Sequence, residues 1–144
     1  LAILKEYDFP PSHLWIEITE RCRDLPISMI KKTVTAFREA GIHITMDDYG
    51  TGSSSSQMML ELPVEGIKID MFFVKDILEE KKKQALVIGM INFANAADLK
   101  ICIEGIENDS LESYLRQFDV TCFQGYHYSR PICQDELMKL LIKP

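Results

Sequence analysis

The 144-residue sequence is poor in positive charge, in cysteine and in long apolar runs, and each shortage removes a class of function. Sixteen Lys and Arg stand against 22 Asp and Glu, a net charge of −6. A protein that grips a nucleic-acid polymer needs a Lys/Arg surface to displace counterions, so no such polymer is expected as a partner. A small phosphate ligand stays compatible, because a bound cation masks local acidic charge. The four cysteines, Cys22, Cys102, Cys122 and Cys133, contain no C-x-x-C pair, which sets aside a zinc knuckle or a redox dithiol. Cys102 and Cys122 lie in apolar runs and are expected to be small core residues. Unpatterned free thiols point to a reducing, cytoplasmic location. No apolar run approaches the ~18 residues of a membrane span, and no charged-then-apolar leader is visible, so no membrane segment or signal peptide is expected. The first residue is Leu rather than Met, and an excised domain is the expectation.

What is present is ordinary globular composition, 47% apolar and 26% charged, in a length that supports one hydrophobic core and not two. Five short apolar runs recur, each ending in an acidic or polar residue: Leu14 to Ile18, Ile42 to Met46, Gly66 to Asp70, Ile101 to Glu104, and Val120 to Gln124. They are rich in β-branched or aromatic residues and read as buried strands. Helical spacing fills the gaps. Ser28 is placed to cap a helix with Met29, Ile30, Val34, Phe37 and Ala40 on its apolar face and Gly41 at its end. Lys81 to Leu99 carries Leu86, Val87, Met90, Ile91, Ala94 and Ala97 at helical spacing. A short helix opens at Asp109 or Ser110 and runs through Phe118, and Asp135 to Ile142 forms a last amphipathic one. Strands alternating with such helices imply βαβ crossovers and a parallel sheet, either doubly wound or part of a (β/α)8 barrel. Polar residues at nearly every strand end favour the barrel, which gathers its site there, although a barrel needs about 250 residues and only five strands are visible.

Those strand ends offer Glu17, Glu20, Asp47, Asp48, Glu104, Glu107 and Lys68. Asp47 and Asp48 close an apolar strand and run into a loop of Gly, Thr and Ser. Neighbouring side chains of a strand point oppositely, so the chain must kink for both carboxylates to serve one site, and Gly50 and Gly52, which tolerate positive φ, make such a kink cheap. Hard oxygen donors favour Mg²⁺ or Mn²⁺ over zinc, and two such ions suit phosphoryl transfer, with Lys68 orienting water or stabilising phosphate charge. Taken singly, each feature has a plain structural reading: a turn signal, a solvated lysine, a strand terminus, a flexible serine loop. Their convergence on strand ends favours a site. An enolase-like proton abstraction uses similar groups, but the Asp pair and the Gly/Ser loop fit phosphate chemistry better.

Six ordered motifs then resemble the EAL family of cyclic di-GMP phosphodiesterases: Glu17-Ile18-Thr19-Glu20, Asp47-Asp48-Tyr49-Gly50-Thr51-Gly52, Leu62-Pro63-Val64, Ile67-Lys68-Ile69-Asp70, Glu104-Gly105-Ile106-Glu107, and Gln124-Gly125-Tyr126 with Ser129-Arg130-Pro131. The resemblance runs from about Tyr7 to Leu137. It implies an α/β fold, a partial (β/α)8 TIM-type barrel comprising strands 4–8 with their helices, so that residues 1–144 are the C-terminal portion of a single EAL-type domain. It implies metal roles for Glu17, Asp47 and Asp48, catalytic roles for Lys68, Glu104 and Gln124, and for Glu107 the anchoring of the Asp47–Ser56 loop. The implied reaction is hydrolysis of cyclic di-GMP to linear pGpG with two Mg²⁺ or Mn²⁺ in the intact domain. The Glu-Ala-Leu motif and the third-strand asparagine, both ligands of the first metal in the family, are absent, so the parent domain is expected to be the enzyme and this chain a weakly active or inactive fragment. The alternative is a cyclic di-GMP-binding or regulatory, dimerising module without catalysis. Expected partners are cyclic di-GMP and either a second copy or the missing N-terminal half of the barrel. Ser53 stands where the family usually has an aromatic residue, Tyr49 replaces the usual Phe, and His127 is read as a rim histidine.

Overall fold

β-branched side chains pack best on a pleated surface, and the five apolar runs become strands β1 (Trp15–Ile18), β2 (His43–Tyr49), β3 (Gly66–Ile69), β4 (Lys100–Ile103) and β5 (Cys122–Phe123). The computed structural model describes residues 1–19, 25–51 and 55–142. All four strand pairings are parallel, and the spatial order is β1-β2-β3-β4-β5. Each crossover therefore moves one strand further in the same direction. A doubly wound sheet reverses its strand order at a switch point, whereas a (β/α)8 barrel never does. The sheet is therefore a stretch of barrel wall, and the doubly wound alternative falls.

The crossovers are helical. Helices α1 (Ala2–Glu6) and α2 (Ile27–Glu39) precede β1 and β2, and α3 (Ser55–Glu61) precedes β3. Helices α4 (Met71–Val74) and α5 (Lys81–Ala96) lead to β4, α6 (Asp109–Leu115) leads to β5, and α7 (Gln134–Leu141) follows. Strand alternation divides the sheet into two faces. Ile44, Met46, Ile67, Ile69, Ile101 and Ile103 point to the helical side and are 0–1% exposed. They meet Val34 of α2, Val87, Ile91 and Ala94 of α5, and Leu111 and Leu115 of α6 in one core. Burial of a large aliphatic side chain is worth about 1.5–3 kcal/mol, so this face holds the wall together.

Several helix boundaries differ from expectation. Ser28 does not cap α2: the N-cap is Pro26, extended at φ −54° and ψ 130°, and no side chain caps the helix. Proline fixes that entry, so the helix begins at Ile27, one residue before the serine. Met29 lies on the rim of the apolar face at 55% exposure, while Ile30 and Val34 are buried. Asn108 caps α6 by accepting from the Leu111 amide at 2.9 Å. Asp70 caps α4 in the same way, accepting from the Phe72 amide at 2.7 Å, so the acid of the Ile67–Asp70 motif is a structural group.

Candidate functional site

The other face of the sheet is polar because the residues between the isoleucines are polar. Trp15 and Glu17 align with His43 and Thr45, Thr45 with Gly66, and Lys68 with Cys102, which aligns in turn with Cys122. Aligned residues of parallel strands share a face, so one groove of about 340 Å³ is lined by Trp15, Glu17, Thr45, Lys68, Cys102 and Gln124 among others. At its N-terminal end the Trp15 ring stacks on His43 at 4.5 Å, and the Lys100 ammonium lies 4.7 Å from the same indole.

At the C-terminal end, Lys68 of β3 gathers three carboxylates, from β1, from β2 and from just past the end of β4. Its Nζ lies 2.6 Å from Glu104 Oε1, 2.9 Å from Glu17 Oε1 and 3.4 Å from Asp47 Oδ1. Lys68 is only 7% exposed, and burial alone would lower its pKa. The hydrogen bonds to Glu104 and Glu17 and the charges of Glu104 and Asp47 outweigh that cost, and the ammonium is held charged far above the ordinary lysine range. At 3.4 Å the Asp47 contact is an ion pair and not a hydrogen bond, and Asp47 Oδ1 is buried without a hydrogen-bond donor.

A kink interrupts β2 at the two aspartates, and Gly50 takes the positive φ expected of it. The β2–β3 register shifts between Met46 and Tyr49: Met46 pairs with Ile67 and Tyr49 with Ile69, leaving Asp47 and Asp48 opposite Lys68 alone. Asp48 itself takes the left-handed conformation, φ 55°, which aspartate tolerates better than most residues. The Thr51 amide and hydroxyl both donate to the Asp48 carbonyl, at 3.1 and 2.9 Å, and close the turn. Gly50 follows at φ 95° for a packing reason: a Cβ there would lie 2.5 Å from the Met90 methyl and 3.2 Å from the Phe73 ring. The kink is thereby pressed against α5, and Tyr49 stacks on Phe93 of that helix. Gly52, the second glycine invoked, lies outside the described residues.

A sequence profile of the EAL domain matches residues 1–131. The chain belongs to the EAL domain family. It is similar to the cyclic di-GMP phosphodiesterase RocR of Pseudomonas aeruginosa, at 30% identity over 95% of this chain and 35% of that protein. It superposes on the EAL domain of Mycobacterium smegmatis DcpA with a TM-score of 0.91 and 31% identity, covering 97% of this chain and 63% of that one. It also resembles Klebsiella pneumoniae BlrP1, solved as a manganese and cyclic di-GMP complex, with a TM-score of 0.81 and 28% identity over 89% of this chain and 33% of that one. Other curated relatives are longer still, the chain spanning 20%, 18% and 20% of three of them.

The remaining EAL positions are distributed unevenly. Glu104 is fixed by backbone pairing past the end of β4, its amide donating to Ile69 carbonyl at 3.0 Å. Gln124 lines the groove beside Lys68, held by its amide on Ile103 carbonyl at 2.9 Å and its own carbonyl on Ile106 amide at 3.1 Å. The fit between these loops requires Gly125, where a Cβ would collide with the backbone of Ile106. Glu107 is exposed and lines a separate groove with Met71, Asp76 and Asn108. The loop it is expected to anchor includes residues 52–54, which lie outside the described residues together with Ser53, Glu20 and Cys22.

Two features escaped the sequence reading. Cys122 is exposed and Cys102 only half-buried, so they are not core residues: both stand on the polar face of the sheet, with the Cys122 thiol donating to the Ile101 carbonyl at 3.9 Å. Burial, and then the neighbouring Cys122 thiol, pushes the Cys102 thiol up to about 12. The tightest group of metal-type donors among the described residues is Asp109, Glu112 and His127, on the rim and away from Lys68. His127 Nε2 lies 3.1 Å from Glu112 Oε2, and Arg116 already binds the other oxygen of Glu112, so the carboxylate of Glu112 is shared between two side chains. The rim reading of His127 fits that arrangement. Among the described residues, no helix is long and apolar enough to cross a membrane.

Proposed function

We propose that residues 1–144 are the C-terminal portion of one EAL-type domain, strands 4–8 of its barrel, and that the intact domain hydrolyses cyclic di-GMP to linear pGpG with two Mg²⁺ or Mn²⁺ in the cytoplasm. The observation that carries this reading is the convergence of Glu17, Asp47 and Glu104, from three strand ends, on the buried Lys68. The donor set suits the ions: it is all oxygen, and Asp47 Oδ1 is buried without a hydrogen-bond donor, a group that a cation would satisfy. Glu17, Asp47 and Asp48 would hold the metals, which when bound lower the charge on the phosphate and ionise an attacking water. Lys68, locked as an ammonium, would face the charge that builds on the phosphoryl oxygens as the P–O bond to the departing ribose breaks. Glu104 would fix the Lys68 head and, with Gln124, orient water at the mouth of the groove, while Glu107 would anchor the loop after β2.

The groove lies open along the first strand, where Trp15 is 39% exposed on the polar face. That openness supports the reading that the chain alone is weakly active or inactive and is completed by the N-terminal half of the barrel or a second copy. The test is chromatography of pGpG formed by the full-length protein from cyclic di-GMP and Mn²⁺, beside Asp48→Asn and beside the 144-residue chain. Turnover by the full-length protein alone is expected. Turnover by Asp48→Asn would refute the assigned role, turnover by the isolated chain would refute incompleteness, and calorimetric binding without turnover would establish a sensor instead of an enzyme.

A further inference from the structure

A ladder without the slip in β2 would send Asp48 into the core. Met46 pairs with Ile67, so an unbroken register would set Asp47 against Lys68 and Asp48 against Ile69. Aligned residues of parallel strands share a face, and Ile69 is fully buried on the helical one. The slip puts Tyr49 there instead. Its ring packs against the core and stacks on Phe93 of α5, with centroids 6.3 Å apart and planes 8° from parallel. An unpaired carboxylate is costly in such a place, and an aromatic ring is favoured. The turn that follows closes on the same helix, because Gly50 has no Cβ to meet the Met90 methyl or the Phe73 ring. All of these groups belong to β2 and its turn, β3, α4 or α5, so the arrangement does not depend on what completes the barrel.

We propose that Tyr49, seated on Phe93, is a positioning residue for the metal site. By taking the apolar place opposite Ile69 it holds the slip that keeps Asp48 out of the core and leaves it with Asp47 opposite Lys68. The inference rests on the reading of Asp47 and Asp48 as metal ligands and adds what holds them in place. Two registers compete, and they differ in which side chain enters the apolar layer beneath α5. With a ring at position 49 the slipped register wins; with a small polar side chain there, neither residue is suited to the layer and the preference is lost. The ring of Tyr49 carries the effect and its hydroxyl does not, so phenylalanine would serve equally. Phe93 supplies the opposing wall.

The test is calorimetric titration of Mn²⁺ into the metal-free full-length protein, which needs no turnover. Tyr49→Ser is expected to weaken Mn²⁺ binding by about tenfold or more, the usual scale for losing a group that orients a metal ligand. Tyr49→Phe should bind as the parent does. Phe93→Ala leaves β2 itself unaltered and should weaken binding in the same direction, which keeps the test decisive if Tyr49→Ser does not fold. Leu115→Ala, a truncation of a fully buried side chain in α6, should lower the melting temperature but not the Mn²⁺ affinity, separating positioning from general loss of stability. Parental affinity in both Tyr49→Ser and Phe93→Ala would overturn the proposal while the metal reading stands. A loss in Tyr49→Phe as large as in Tyr49→Ser would overturn it as well, by moving the role to the hydroxyl. A parent protein that binds no Mn²⁺ would overturn the metal reading and this inference with it.

Discussion

Replacing Lys68 with methionine keeps the length of the side chain and removes its charge from the centre of three carboxylates. Glu104 and Asp47 are each 18% exposed in their side chains, so both lose a cation that water replaces poorly; Glu17, at 47%, stays well solvated. Breaking a buried ion pair on one side costs about 3–5 kcal/mol, and discounting the half-exposed Glu17 brings the expectation to about 2–4 kcal/mol. For a chain of this size that is a fall of roughly 5–15 °C in melting temperature. Because the folded pKa of Lys68 is raised, its stabilisation is fully present below the ordinary lysine value and is lost only as pH rises through the higher folded one. The gap between the two proteins should therefore stay flat from neutral to mildly alkaline pH, and narrow in acid as the carboxylates take up protons. Urea unfolding followed by circular dichroism across that range measures it. A Lys68→Met protein as stable as the parent at neutral pH would refute the argument, because the three carboxylates would then not depend on the ammonium.

Two further outcomes test the frame around the site. Gly125→Ala forces a Cβ into the Ile106 backbone and is expected to cost about 1–3 kcal/mol, with hydrogen exchange at the Ile106 and Gln124 amides accelerating; unchanged protection at both would show that the loops do not meet there. Ile67→Ala, at a side chain 1% exposed on the helical face of β3, should lose about 2–5 kcal/mol by chemical denaturation, and a loss below 1 kcal/mol would mean that this face is not packed as described.

Much of this was legible because parallel strands whose two faces differ write the difference into alternate residues. Isoleucine at every second place of β3 and β4 marks the helical face, and the intervening Lys68 and Cys102 mark the other. The five runs, the helix with Val87, Met90, Ile91 and Ala94 buried, and the grouping of acids at strand ends followed from that alternation and from helical spacing. The missed pieces are short or were governed by contacts remote in sequence. Helix α4 has four residues, too few for a period to show, and the entry to α2 is set by Pro26 where a serine gave the more conventional signal.

The cysteines and the aspartates show where the same alternation should have been pushed further. Cys102 and Cys122 sit in apolar runs, and hydrophobicity averaged over a run assigns them to the core. Parity assigns them otherwise: Ile101 and Ile103 face the helices, so Cys102 must face the groove with Lys68, and the register carries Cys122 with it. Asp47 and Asp48 are the converse case. Parity requires them to diverge, so a site that uses both must break the ladder between Met46 and Tyr49. The ladder breaks between Met46 and Tyr49, where Asp48 takes a positive φ, and Gly50, also at positive φ, lies already past both acids. The glycine contributes differently, by letting the kinked segment close against Met90 and Phe73, so that the turn is held by α5 as well as by its own hydrogen bonds.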